Sequence, residues 1–406
     1  MSAAAFGAGG QEPAGRDALV SAGQGSLGVV EPGGLLAILG GGQLGRMTAM
    51  AARTMGYRVR VMDPEAACPA SFVVDEVIVG KWDDIEAAKR LATGADAVTI
   101  EIEQIGVEAL RAVAEIAPLR PGVEPIRIIQ DKILQKEWLA ANGIPVGPFR
   151  VVRDERELAE AVEALGDRVF VKTARGGYDG RGQVRIGFSG PSSEGEISAA
   201  WESLGKRPVV VERALELDFE ISVMAARSPS GEVRCYPAAR NHHEQQILAW
   251  SVLPAGISAE MEMQAQELAK QIISGLSLEG LVCVEMFVTK AGDLLVNELA
   301  PRPHNSYHQS ERACATSQFE QLVRTSCNLP LGATEILTPA AIVNLLGDVW
   351  MAGRPDFAAA LAVPGVRLHL YEKREARPGR KMGHLSATGA TAEEALSRVL
   401  EAKARL

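Results

Sequence analysis

"LVCVEMFVTKAGDLLVNELAPRPHNS", residues 281–306, decides the fold. Two apolar runs flank Lys290-Ala291-Gly292-Asp293, the pattern of a β-hairpin. With Ala291-Gly292 as a two-residue loop, Lys290 faces Asp293 and Glu285 falls directly opposite Glu298 on one face. Their Cβ atoms are then about 5 Å apart, and like charges at that spacing are destabilising unless bridged. The apolar neighbours add a desolvation penalty. A hard divalent cation removes the conflict, and Mg²⁺ suits oxygen ligands that leave positions for water and phosphate. One proton shared by the two carboxyls is the plainer alternative. Asn297 is adjacent and, in a regular strand, faces the other way.

Upstream, "VFVKTARGGYDGRGQVRI" (Val169–Ile186) ends a strand at Lys172, continues through a glycine-dense loop, Gly176–Gly182, and starts a second strand near Gln183. A P-loop leads into a helix; this loop joins two strands. Four glycines in seven residues let backbone N–H groups approach a polyphosphate and let the loop act as a lid, with Lys172 as a point charge beside it. A loose hairpin tip is the alternative, but each glycine costs about 0.5–1 kcal/mol of ordering relative to Ala.

Near the start, "AILGGGQLGRM" (Ala37–Met47) contains G-x-G-x-x-G between Gly40 and Gly45, and Asp63 closes the following strand. Read mechanically, this is a dinucleotide fingerprint. Strands and helices alternate from Leu35, which predicts a parallel sheet at about 34–125. A helix over "DKILQKEWLAANG" opens the next unit. A capped helix from Asp154 and then mostly strands ("RVFVKT", "PVVVE", "FEISVMAAR", "LVCVEMFVT") predict an antiparallel α+β unit at about 126–330, split near 131–205 and 206–330. Three short strands and a helix capped by Thr391 form a small β-rich unit at 331–406. Residues 1–33, rich in Gly, Ala, Ser and Gln, read as a disordered leader or an over-extended start.

The bulk composition is that of a globular protein: 406 residues, 47% hydrophobic, 23% charged, net charge −9. Nothing in it is a basic footprint for nucleic acid, and no run of about 18 apolar residues points to a membrane. Five scattered cysteines without a C-x-x-C pair favour buried free thiols in a reducing cytoplasm.

A glycine lid, a strand lysine and a carboxylate pair on an antiparallel hairpin together resemble the ATP-grasp superfamily. "GGGQLGRM", "KTARGGYDGRGQ", "LLVNELAPRPHNS" and "EARPGRKMGH" narrow the resemblance to N5-carboxyaminoimidazole ribonucleotide synthases over about residues 34–400. It implies an α/β and α+β chain: a Rossmann-like pre-ATP-grasp domain that holds no dinucleotide, an ATP-grasp domain and a small C-terminal domain. It implies MgATP and bicarbonate as reactants with 5-aminoimidazole ribonucleotide, a homodimer, and hand-off of product to a mutase.

The resemblance also implies site roles. Lys132 and Lys172 hold ATP phosphates under Gly176, Gly177, Tyr178, Asp179, Gly180, Arg181 and Gly182. Glu212, Arg213, Ala214 and Leu215 form the adenine hinge, Glu220 binds ribose, and His243 and Asn297 add to the nucleotide site. Glu285 and Glu298 bind Mg²⁺. Tyr178, Asp179, Arg181, Arg302, His304 and Lys373 surround the reacting carboxylate. Gln43, Leu44, Glu101, Asn305, Lys373, Arg380 and Lys381 bind the ribonucleotide, the last two at its phosphate; Asp63 reads as a strand-end cap. Three positions depart from the family pattern: Lys132 replaces arginine, "VTIEIEQI" (98–105) replaces an aromatic-containing string, and Tyr307 replaces glycine. A formate-dependent glycinamide ribonucleotide formyltransferase shares the architecture, and an ATP-binding sensor without catalysis is the non-enzyme alternative.

Overall fold

Every residue of "LLAIL" is buried, which is what a parallel strand covered on both faces requires. This strand, β1 (Leu35–Leu39), lies in a four-stranded parallel sheet with β2 (Arg58–Asp63), β3 (Glu76–Val79) and β4 (Ala97–Ile100), in the order β3-β2-β1-β4. The computed structural model describes residues 28–166, 168–176, 182–351 and 353–406. Alternate β1 side chains serve opposite faces. Ala37 and Leu39 pack with Leu91, Leu110 and Val113. Leu36 and Ile38 pack with Ala49 and Ala52, and with Val323 and Cys327 from a distant part of the chain.

The expected leader needs correction at its end. Val30 N–H donates to Cys327 O at 2.9 Å, and the Tyr57 hydroxyl donates to Val30 O at 2.6 Å. Residues 28–33 are therefore tied to the body; residues 1–27 lie outside the described residues.

The glycine turn after β1 closes around a carboxylate of the protein itself. Gly42 and Gly45 N–H donate to the two oxygens of Glu101 at 2.6 and 2.8 Å. Glu101 thus sits at the N-terminus of the Gln43–Thr54 helix, the position an anionic ligand takes in a dinucleotide fold. Gly40 has φ +113°, and a Cβ there would come 2.1 Å from Glu101 Cγ. Asp63 is a local cap, accepting from Gly41 N–H at 3.0 Å and Glu65 N–H at 2.9 Å.

Two antiparallel sheets follow. β5 (Phe149–Val152), β6 (Val169–Thr173), β7 (Gln183–Ile186) and β8 (Val209–Arg213) pair in the order β5-β8-β6-β7. They have their own core with the helices Glu155–Leu165 and Glu194–Ser203. The larger sheet takes β9 (Leu217–Arg227), β10 (Val233–Cys235), β11 (Ala239–Glu244), β12 (Ile247–Leu253), β13 (Gly280–Thr289) and β14 (Leu294–Ala300). It continues into β15 (Ala340–Leu346), β16 (Val366–Leu370) and β17 (Lys381–Thr388), in the order β14-β13-β9-β11-β12-β15-β17-β16 with β10 on β9. The segment after residue 330, expected as a small separate unit, thus extends the central sheet through the β12–β15 pairing, while the helix Ala392–Ala404 gives it a core of its own.

The hairpin β11–β12 carries no turn signal in the sequence. Gln245 and Gln246 adopt φ +49° and +67°, a conformation usually supplied by Asn-Gly.

Gly40→Ala should therefore destabilise the protein by about 2 kcal/mol or more, because it combines a left-handed backbone with displacement of a buried carboxylate. Thermal denaturation reads this as a fall of several degrees; an unchanged melting temperature would mean that the turn tolerates a Cβ.

Candidate active site

The hairpin β13–β14 brings Glu285 opposite Glu298, as expected, but by a different route. Thr289 N–H donates to Asp293 O, so the loop has three residues, Lys290 to Gly292, with Gly292 at φ +90°. That closure pairs Val288 with Leu294 and Met286 with Val296, one residue out of the expected register. A bulge at Asn297 then restores it, and Glu285 meets Glu298. The two departures cancel. The bulge also turns Asn297 into the same cleft as Glu298, together with Lys132, Gln135, Lys136, Lys172, Val210 and Glu212. Asn297 Oδ1 is buried without a hydrogen-bond partner.

Each of the facing carboxylates has a cation of the protein beside it. Lys132, the first residue of the helix Lys132–Ala141, pairs with Glu298. His304 Nε2 lies 3.0 Å from Glu285 Oε1, and His304 Nδ1 lies 2.8 Å from Ser306 Oγ. Burial works against the charge on Glu285, but His304, His243 and Lys132 hold its carboxyl down at about 2. Burial also opposes charge on His304; the Cys283 thiol and the Glu285 carboxylate outweigh it and push the imidazole up to about 10.

Glu212 bridges Lys136 and Lys172, at 2.7 and 2.5 Å. Burial disfavours its charge, yet the two ammonium groups hold it at about 2. Glu220 Oε2 lies 2.8 Å from His243 Nδ1, and Arg302 forms a two-point ion pair with Glu103. The arrangement is a row of carboxylates on β8, β9, β13 and β14 matched by lysine and histidine, with Arg302 matched to Glu103. Oxygen donors around an unpartnered amide oxygen fit a hard divalent cation, and the lysines fit a polyphosphate.

Comparison with known proteins agrees with this geometry. The chain matches the ribonucleotide synthetase preATP-grasp domain over residues 35–130, the ATP-grasp domain over 137–319 and the phosphoribosylaminoimidazole carboxylase C-terminal domain over 340–398. It is 42% identical to an N5-carboxyaminoimidazole ribonucleotide synthase of Brucella melitensis, covering 88% of this chain and 97% of that one. Identity to a Bacillus subtilis protein of the same name is 39%, over 88% and 92%. A Staphylococcus aureus N5-carboxyaminoimidazole synthetase solved with ADP superposes with TM-score 0.85 at 33% identity, over 93% of this chain and all of that one. An Aspergillus clavatus synthase solved with ADP and 5-aminoimidazole ribonucleotide gives TM-score 0.82 at 32% identity, over 91% and 97%. The chain belongs to the N5-carboxyaminoimidazole ribonucleotide synthase family. It is an ATP-grasp ligase, and neither the formyltransferase nor the silent sensor is favoured.

Of the residues expected for the synthase, Lys132, Lys172, Glu212, Asn297 and Glu298 line this cleft. Arg213 ends β8 with Nε on Leu165 O at 2.7 Å, and Ala214 N–H donates to Arg168 O at 2.9 Å. With Leu215 they form the short link from the lid sheet to β9. The side chain of Glu212, the first residue of the expected hinge, turns to the two lysines. Asn305 is buried with both amide atoms unpartnered. Gln43 is half-buried at its helix start, while the Leu44 side chain packs with Met47, Phe319 and Tyr371. The Leu44 side chain thus packs into the core, and the Glu101 oxygens accept from the glycine turn.

Lys373 Nζ lies 5.7 Å from the centre of the Tyr371 ring. Arg380 Nη1 donates to Glu375 O at 3.0 Å, and Lys381 opens β17. Gly176 and Gly182 flank the lid; Gly177, Tyr178, Asp179, Gly180 and Arg181 lie outside the described residues. The Tyr307 bulk points away from the cleft, with its hydroxyl 2.8 Å from the carbonyls of Ser222 and Pro237 and its ring edge-on to Tyr236.

Sequence reasoning missed Lys136 and Glu103. Lys136 lies four residues after Lys132 and so shares its helix face, a signal that was readable. Glu103 lies in the departing string 98–105, and nothing local announces its partner 199 residues away. Also missed was a cavity of about 470 Å³ between Trp82 and Ile105 of the first unit and Arg175 and Gly176 at the lid base.

Glu212→Gln should leave Lys136 and Lys172 buried side by side without their shared anion. Breaking a buried pair costs about 3–5 kcal/mol, discounted here because both lysines border an open cleft. A melting temperature several degrees below the parent is expected; no change would mean that water replaces the carboxylate.

Proposed function

We propose that this enzyme uses MgATP to carboxylate 5-aminoimidazole ribonucleotide with bicarbonate, giving N5-carboxyaminoimidazole ribonucleotide, ADP and phosphate for purine synthesis. The observation that carries the reading is the facing pair Glu285 and Glu298, with Glu298 and the unpartnered Asn297 Oδ1 lining a cleft that also holds Lys132, Lys136 and Lys172. The names of the relatives, and the ADP and 5-aminoimidazole ribonucleotide in the Aspergillus structure, support it.

In this reading Glu285, Glu298 and Asn297 hold Mg²⁺, which supplies charge neutralisation at the transferring phosphoryl group. Lys132 and Lys172 hold phosphate oxygens, with residues 212–215 at the adenine and Glu220 and His243 at the ribose. Bicarbonate oxygen attacks the γ-phosphorus and ADP leaves, giving carboxyphosphate. The exocyclic amine takes the carboxyl group, phosphate departs, and the amine proton is lost. Arg302, His304, Lys373 and the lid residues Tyr178, Asp179 and Arg181 surround the carboxyl group. Gln43, Leu44, Glu101, Asn305, Lys373, Arg380 and Lys381 hold the ribonucleotide. The lid over 176–182 excludes water that would hydrolyse the intermediate. The units are 34–125, 126–330 and 331–406.

We also propose a cytoplasmic homodimer that passes its product to a mutase; the absence of a disulfide at all five cysteines suits a reducing compartment. No helix among the described residues is long and apolar enough to cross a membrane.

ADP formation should rise strongly when 5-aminoimidazole ribonucleotide is added in bicarbonate buffer, and not with formate and glycinamide ribonucleotide. Stimulation by the second pair would move the assignment to formyl transfer. MgADP should raise the melting temperature, whereas NAD should not, because Glu101 already occupies the helix N-terminus.

Glu298→Gln should keep the fold and lose at least about 100-fold in turnover, as expected when an electrostatic contact to the transition state is removed. Chelation of Mg²⁺ should abolish turnover in the parent. Activity of Glu298→Gln within tenfold of the parent would remove Glu298 from the metal site.

A further inference from the structure

Three imidazoles, of His308, His369 and His384, form a column. His384 lies 4.5 Å from His369 on one side and 4.8 Å from His308 on the other, ring centre to ring centre, and Phe319 continues the stack 5.6 Å beyond His308. His308 and His384 are fully buried. Glu311, His369 and His384 bring three ligand-type atoms within 4.8 Å of one another. A metal centre does not follow. The His369 and His384 rings are within 7° of parallel, so their in-plane lone pairs run side by side instead of converging on one ion. Arg367 and Arg312 also act on Glu311 and His369.

The column instead completes a path between two residues of the site. Gln318 holds His304 by both backbone groups: His304 N–H donates to Gln318 Oε1 at 2.8 Å, and Gln318 Nε2 donates to His304 O at 2.9 Å. The same Nε2 lies 3.2 Å from His308 Nδ1. His308 stacks on His384, whose Nδ1 is 2.7 Å from the Tyr371 hydroxyl. Tyr371 carries Lys373 on its ring face, and its N–H donates to Met382 O, next to Lys381. Burial first, then the neighbouring rings, push His308 and His384 well below the usual imidazole range. The column is therefore uncharged near neutral pH and stacks without repulsion.

We propose that Tyr371 and His384 are positioning residues: their hydrogen bond, clamped in the imidazole column, sets the strand end that presents Lys373 to the ribonucleotide relative to His304. The inference rests on the assignment of Lys373 to substrate in the proposed function.

Tyr371→Phe keeps the ring beneath Lys373 and removes only the hydroxyl. It should raise KM for 5-aminoimidazole ribonucleotide about tenfold, the effect of one lost buried hydrogen bond, while KM for ATP stays close to the parent value. His384→Gln should give the same split. Val399→Ala, which loosens the core under the helix Ala392–Ala404, should lower the melting temperature without splitting the two KM values. Parallel changes in both KM values, or none, would overturn the proposal.

Backbone hydrogen exchange over residues 371–383 gives a readout independent of catalysis: Tyr371→Phe should accelerate it, and unchanged exchange would also overturn the proposal. If the parent forms no ADP with the ribonucleotide, the functional reading falls and the exchange result alone decides the positioning role.

Discussion

Two carboxylates on neighbouring strands repel one another, and the architecture of the site is organised around that repulsion. Like charges directly opposite one another on paired strands are destabilising unless they are compensated. Glu285 and Glu298 tolerate the repulsion because two other parts of the chain deliver cations to them: the helix start at Lys132 and the His304 segment that follows β14. Both helix and segment must be held in place for the hairpin to be stable. Gln135 does part of this, its Oε1 accepting from Leu299 N–H in β14. The pair that is chemically useful therefore also ties a helix, a hairpin and a loop into one body.

The same logic explains where the two sheets meet. The lid sheet and the central sheet have separate cores, and residues 214–216 join them directly between β8 and β9. Each side contributes charge to the junction: Lys172 and Glu212 from the lid sheet, Glu220, Glu285 and Glu298 from the central sheet. Two independently packed bodies joined by a short link can change their relative angle without breaking either core. Charge collected at the joint, where apolar packing is interrupted, meets ligand with less rearrangement than charge buried inside one core would.

Much of this was legible in the sequence, and the limits have physical causes. The alternating strand–helix pattern, the capped helices and the hairpin around Lys290–Asp293 rest on local periodicity and turn chemistry, and they survive. The register did not: Thr289 and Asp293 close a three-residue loop, and only the Asn297 bulge returns Glu285 to Glu298. A bulge is one residue long and has no composition of its own, so a regular-strand argument cannot see it. The β11–β12 hairpin was hidden because Gln245-Gln246 fills a turn that glycine usually fills. Glu103 and the β12–β15 pairing depend on partners far away in sequence, which local pattern does not encode.

The glycine fingerprint shows how a correct local reading can support a wrong chemistry. The turn, the helix behind it and the strand-end Asp63 all form as the pattern requires. A helix N-terminus attracts negative charge whatever its source. In a dinucleotide fold that charge is a pyrophosphate; here it is Glu101, reaching across from β4 to accept from Gly42 and Gly45. The glycines are needed in either case, because a Cβ at Gly40 or Gly42 would strike the anion or its supporting chain. Their presence reports a close approach between backbone and a carboxylate or phosphate, and does not say which. The discriminating residue lies 56 positions after Gly45, at the end of another strand. An internal carboxylate in that position satisfies the amides of Gly42 and Gly45 from within the protein, so the same turn forms with no pyrophosphate to hold.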